Sequence, residues 1–122
     1  MPERAFVDVY WYPSCSTCQK ALVHLERRGA RVRAYRDLKA EPLSLAEVRA
    51  LAWKVGAPER LFTRRARAYR ERGLHQRALS PDQMLALMAE EWTFIARPVI
   101  VRDDVAVAGY RRADLDLLLD RY

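Results

Sequence analysis

FVDVYWYPSCSTCQKALVHLERR, residues 6–28, is the stretch from which the fold can be read. Phe6-Val7-Asp8-Val9-Tyr10 alternates and is rich in β formers, which predicts a strand. Trp11 to Ser14 is a loop, with Pro13 breaking the strand. Thr17 to Arg28 then reads as a helix. Its apolar face is Cys18, Ala21, Leu22 and Leu25 at helical spacing, and Gly29 ends it. Cys15 and Cys18 are the only two cysteines in 122 residues, and they fall at the strand-to-helix junction. With Cys15 capping the helix and Cys18 in its first turn, both sulfurs lie on one face and can form a disulfide. The helix N-terminus offers unpaired N–H groups and a positive dipole end, which lower a thiol's pKa and attract an anion. A nucleophilic thiolate with a partner thiol is the minimum kit for thiol redox work.

Two blander readings compete. C-x-x-C is half of a zinc site, but the other half would need two more close ligands. His24 and His75, the only histidines, stand far apart in the chain. The two cysteines could also be buried and inert. The strand–loop–helix context favours redox or nucleophilic chemistry, with no metal.

Working outward, Val32, Ala34 and Tyr35 alternate with arginines in a second strand ending near Asp37. Two strands joined by a helix make a βαβ unit with parallel strands. Ser44-Leu45-Ala46-Glu47 is a capping box opening a helix to about Val55, closed by Gly56. Pro58 starts a short helical piece, and residues 64–72 read as helix stopped by Gly73. Ser80-Pro81-Asp82-Gln83 is a second capping box, and its helix runs to about Glu91. Val99–Val101 and Val105–Val107 form a hairpin around Asp103-Asp104. A last helix spans Ala113 to Arg121, with Leu115, Leu118 and Leu119 inward. Setting aside residues 41–79 as an inserted helical subdomain leaves βαβ-αββα. The expectation is an α/β fold with a thioredoxin-like core, in a single domain covering 1–122. Pro98, directly before a strand, suits that fold's cis-proline.

Apolar residues make up 51% of the chain, enough for one core. No run is long enough to span a membrane, and Met1-Pro2-Glu3-Arg4 is not a signal peptide, so a cytoplasmic protein with no membrane partner is expected. There the cysteine pair rests reduced. The net charge is +6, and Arg60, Arg64, Arg65, Arg67, Arg70, Arg72 and Arg77 form its densest patch. A solvated helix face explains such a patch, as does contact with an anion or an acidic partner. With no interleaved exposed aromatics and no DNA-reading motif, direct nucleic-acid binding is not expected. Trp11, Trp53 and Trp92 are assigned to core or pocket wall. His24 is assigned to the surface, which leaves no histidine base.

Tyr10–Lys20 (YWYPSCSTCQK), Glu41-Pro42-Leu43-Ser44, Thr63-Arg64-Arg65, Tyr69–Leu74 (YRERGL), Arg97-Pro98-Val99-Ile100 and Gly109-Tyr110 carry a resemblance over nearly the whole chain. In their order and spacing the sequence resembles the arsenate reductase-like (ArsC/Spx) family. The resemblance implies a thioredoxin-like core with a helical insert and a cis Arg97–Pro98 bond. For an enzyme it implies a thiol-dependent reductase of arsenate or a similar oxyanion. Cys15 would be the nucleophile and Cys18 the resolving thiol. Ser14, Ser16 and Thr17 would cradle the anion, with Arg97 and Arg64 or Arg65 on its charge. No cofactor is bound; the external reductant would be thioredoxin or glutaredoxin with glutathione. The family's reductase holds its anion with three arginines, and the third position here reads Gly109-Tyr110, as in Spx. The alternative is therefore an Spx-like redox-sensing regulator that binds the RNA polymerase α subunit.

Overall fold

The computed structural model describes residues 5–120, and the first four and last two residues, including Arg121, lie outside that description. The chain divides into two compact units, one made of residues up to Glu41 and from Arg97 onward, the other of Pro42–Ala96.

The first unit is built on β1 (Phe6–Trp11), α1 (Ser16–Arg27), β2 (Arg31–Asp37), β3 (Val99–Arg102), β4 (Val105–Ala108) and α6 (Arg112–Leu119). The strands form one sheet in the order β2-β1-β3-β4. β1 runs parallel to β2, and β3 is antiparallel to both β1 and β4. This is the thioredoxin-like α/β arrangement. The period-2 reading of β1 holds: Val7 and Val9 point inward and are buried. α1 covers them with Ala21 and Leu25, and α6 adds Leu115 and Leu118, all packed with Ile100 in one cluster. Each large side chain so buried stabilises by roughly 1.5–3 kcal/mol relative to exposure.

Strand β2 departs from expectation. The register slips between Val7↔Val32 and Asp8↔Ala34, leaving Arg33 as an extra residue. That bulge breaks the alternation, so Ala34 and Tyr35 are both exposed. Tyr35 instead lays its ring 5.2 Å from that of Trp11. At the other edge Asp103 turns the hairpin with a left-handed φ of 55°. The last helix is one position earlier than expected; Leu115 and Leu118 are buried and Leu119 half-buried.

Two polar ties join α6 to its neighbours. Arg102, 8% exposed, donates through Nη1 to the Leu118 and Leu119 carbonyls at 3.1 and 2.6 Å. A buried cation thus meets the orphan acceptors of a helix C-terminus. His24 Nε2 lies 2.6 Å from Asp116, and Arg28 donates to Asp116 and Asp120. His24 is therefore not a free surface residue: its side chain is 10% exposed and faces α6.

The second unit holds α2 (Leu45–Val55), α3 (Pro58–Leu61), α4 (Arg67–Glu71) and α5 (Pro81–Glu90), with short 3-10 turns at Leu74–Gln76 and Trp92–Phe94. Both capping boxes form: Ser44 and Ser80 accept from the backbone N–H groups of Glu47 and Gln83, whose side chains accept in return. Gly56 ends α2 at φ 115°, a conformation other residues adopt at a cost. α5 packs on α2 and α3, so this unit extends past residue 79 to Ala96. The helix expected over 64–72 is shorter and starts at Arg67. Upstream of it, Phe62 bridges to Ile95 and the Thr63 N–H donates to the Phe94 carbonyl at 2.8 Å. Between that bridge and the helix, the Arg65 N–H donates to Thr63 Oγ1 at 3.2 Å and Ala66 keeps an extended backbone at φ −62° and ψ 138°, so the helix begins only at Arg67. Trp53, expected in a core or pocket wall, is 71% exposed on α2; Trp11 and Trp92 are half-buried.

Candidate functional site

Cys15 is the N-cap of α1, with extended backbone at φ −82° and ψ 115°. Its Sγ accepts from the Cys18 backbone N–H at 3.3 Å, so a sulfur stands where a serine or aspartate oxygen usually does. The loop before it is fixed twice. The Cys15 N–H donates to the Tyr12 carbonyl at 3.0 Å, and the Gln19 side chain donates to the Pro13 carbonyl at 3.0 Å. Both cysteines are free thiols; Cys15 is half-buried and Cys18 fully buried under α1. Ser14, Ser16 and Thr17 are exposed around them.

The sheet brings the third element. Tyr10 of β1 stands opposite Val99 of β3 in an antiparallel pair. Arg97 and Pro98, just before β3, therefore lie beside the loop that leaves β1. The Arg97–Pro98 bond is cis. The Pro98 carbonyl accepts from the Gly109 N–H at 2.8 Å, where Gly109 takes φ 76°. That bond places Gly109-Tyr110 next to the proline, a link between distant motifs that the sequence did not announce. Tyr110 is half-buried with its ring 5.7 Å from that of His24.

The two thiols are perturbed in opposite directions. Burial works against the Cys15 thiolate. The Cys18 side chain, the Cys18 backbone N–H, the Arg97 charge and the Thr17 backbone N–H outweigh it and hold Cys15 below its ordinary value. Burial, with the bond from Cys18 to Cys15 and the negative charge there, pushes Cys18 up to about 12. One group is set to attack and the other to hold its proton.

Cys15, Cys18, Ser14, Ser16, Thr17 and Arg97 thus belong to one unit, and Cys18, the Thr17 backbone N–H and the Arg97 charge act on the Cys15 sulfur. Arg64 and Arg65 belong to the other unit, where both are exposed. Among the described residues no three His, Cys, Asp or Glu side chains are grouped to hold a metal ion. His24 stands near the far end of α1 from Cys15 and engages Asp116. No helix among the described residues is long and apolar enough to cross a membrane.

The ArsC family model matches residues 10–117. The chain is 31% identical over 105 residues to the uncharacterised protein YusI of Bacillus subtilis, covering 84% of this chain and 88% of that one. It is 25% identical over 116 residues to the global transcriptional regulator Spx of Listeria monocytogenes, covering 94% of this chain and 88% of the regulator. The solved arsenate reductase of Vibrio cholerae superposes with a TM-score of 0.77 at 28% identity, covering 96% of this chain and 99% of that enzyme.

Proposed function

The chain belongs to the ArsC family, and on that premise we propose that it is a thiol-dependent oxyanion reductase of arsenate reductase type. The observation that carries this reading is the pair of opposed thiols at the N-terminus of α1, with Arg97 beside the lower one. A thiolate favoured there is a nucleophile, and the same N–H groups and arginine attract an oxyanion.

The reaction needs two electrons, and the pair holds two. Arsenate sits at residues 14–17, with Arg97 on its charge. Cys15 Sγ attacks arsenic; one oxygen takes up protons and leaves as water, giving an S–As bond. That step removes the negative charge facing Cys18, one of the causes that keep its proton in place. Cys18 then releases its proton and attacks Cys15 Sγ. The S–As bond breaks, its electron pair passes to arsenic, and arsenite departs protonated. The product is a Cys15–Cys18 disulfide. Thioredoxin, or glutaredoxin with glutathione, would return the pair to dithiol by exchange. No bound cofactor or metal takes part.

The test is arsenite release under a thioredoxin system. Turnover by the protein and none by Cys15→Ser supports the reading. No turnover by either, or full turnover by Cys15→Ser, overturns it.

Two points favour a second reading: relatives described as Spx regulators align over 94% of the chain, and by the resemblance Gly109-Tyr110 falls where the family's reductase would carry its third anion-binding arginine. Under this reading the Cys15–Cys18 state controls binding to the RNA polymerase α subunit. Pull-down of the α C-terminal domain in reduced and oxidised buffer discriminates: binding in neither state removes it.

A further inference from the structure

Of the 22 basic and 16 acidic residues, seven and one fall within residues 60–77, leaving 15 and 15 elsewhere. The whole net charge of +6 therefore resides in an 18-residue segment of the second unit. All seven of its arginines are exposed. Elsewhere three arginines meet carboxylates: Arg28 meets Asp116 and Asp120, Arg33 meets Asp8, and Arg36 meets Glu41. In 60–77 only Arg72 does so, with Glu90 at 3.1 Å. None of the other six forms an ion pair with another described residue. What holds two of the segment's arginines in place is aromatic. Arg64 lies over the Phe62 ring at 6.0 Å and Arg72 over the Phe94 ring at 5.8 Å. Those two rings stack at 5.4 Å, and Tyr69 meets Phe62 edge-on at 6.2 Å. The rings serve as a floor and leave the guanidinium edges open to a ligand.

From this we propose that residues 60–77 form a binding face for the phosphate backbone of a nucleic-acid duplex, without reading its sequence. The expectation from sequence was the opposite, and three observations decide the partner. Forked guanidinium donors unopposed by carboxylates match phosphates spaced along a backbone. An acidic protein surface would need an apolar anchor at the centre of the interface. Among the described residues the exposed large hydrophobics are Phe6, Val23, Tyr35, Leu45, Trp53 and Leu117, none of them in this segment. A single strand would need exposed rings to stack on. Phe62 is buried and Tyr69 half-buried beneath the arginines.

The experiment is fluorescence anisotropy of a labelled DNA duplex of arbitrary sequence titrated with the full chain. With four or five phosphates engaged, log K against log salt falls with a slope of about −3 to −5. Arg67→Gln/Arg70→Gln/Arg77→Gln removes exposed charges only. It is expected to weaken binding on the order of 10-fold or more at low salt and to flatten the slope by about 2 to 3. Arg27→Gln/Arg31→Gln/Arg112→Gln removes equal charge from the other unit and is expected to leave the slope in place. A wild-type slope shallower than about −1 overturns the proposal. So does an equal loss in the control variant, or stronger competition by polyglutamate or single-stranded DNA than by unlabelled duplex. The wild-type slope decides even if a variant fails to fold.

Discussion

Replacing Cys18 by alanine is expected to raise the pKa of Cys15. Cys18 supports the Cys15 thiolate in two ways, through its side chain and through its backbone N–H at 3.3 Å. Alanine removes only the first. A hydrogen bond to a charged group contributes about 1.5–3 kcal/mol, and a thiol is a weak donor, so the lower end applies. Lost support of that size changes the ionisation constant of Cys15 by about tenfold toward the thiol. The thiolate fraction falls by at most that factor, and alkylation slows with it. Cys18→Ser restores a side-chain donor in the same place and should recover most of the shift. The assay is the pH dependence of iodoacetamide labelling at Cys15, followed by peptide mass spectrometry. In the unaltered protein Cys15 should label first at neutral pH. An unchanged or lowered Cys15 pKa in Cys18→Ala would refute the reasoning, as would preferential labelling of Cys18. The first result would mean that the buried thiol is not the donor, the second that the attack order is reversed.

Three further outcomes follow from the same structure. Arg97→Gln should also raise the Cys15 pKa and weaken oxyanion binding, by about 1.5–3 kcal/mol for a lost charge-assisted bond. Arg97→Lys should keep much of the pKa effect while losing the fork, which competition of arsenate with alkylation would separate. The Cys18 proton is held up to about 12 in the folded protein and released near 9.0 when unfolded. The folded state then binds more protons between those values, so stability is full below about 9 and falls as pH rises toward 12. The slope approaches about 1.4 kcal/mol per pH unit; denaturant titrations should show it, and Cys18→Ser should not. Arg102→Met strips the Leu118 and Leu119 carbonyls of their donor and should cost about 1–3 kcal/mol of unfolding free energy with no change in Cys15 labelling.

What could be read from residues alone was mostly local. The C-x-x-C at a helix start, both capping boxes, the parallel βαβ unit and the hairpin rest on near neighbours, and each formed as its chemistry dictates. What could not be read depended on partners distant in the chain. The Phe62–Ile95 bridge holds extended the segment ahead of a helix that propensity alone would begin earlier. A one-residue slip beside Arg33 turns Tyr35 outward, and no period-2 count reveals it. His24 reads as a surface residue until α6 brings Asp116 to it. Arg102 looks like another of many arginines until its helix carbonyls are in view. At the site the two cysteines and Arg97 were legible by type and order. So was the opposed perturbation of the two sulfurs: Cys15 caps the helix and Cys18 lies on its apolar stripe, and the N–H groups lower the first while burial raises the second, as that placement implies.

The most direct measurement is the mass of the protein after arsenate is added with no reductant present. The account predicts loss of two hydrogens, mapped to a Cys15–Cys18 disulfide, with one arsenite released per chain. An unchanged mass with both thiols still free to alkylate would contradict it.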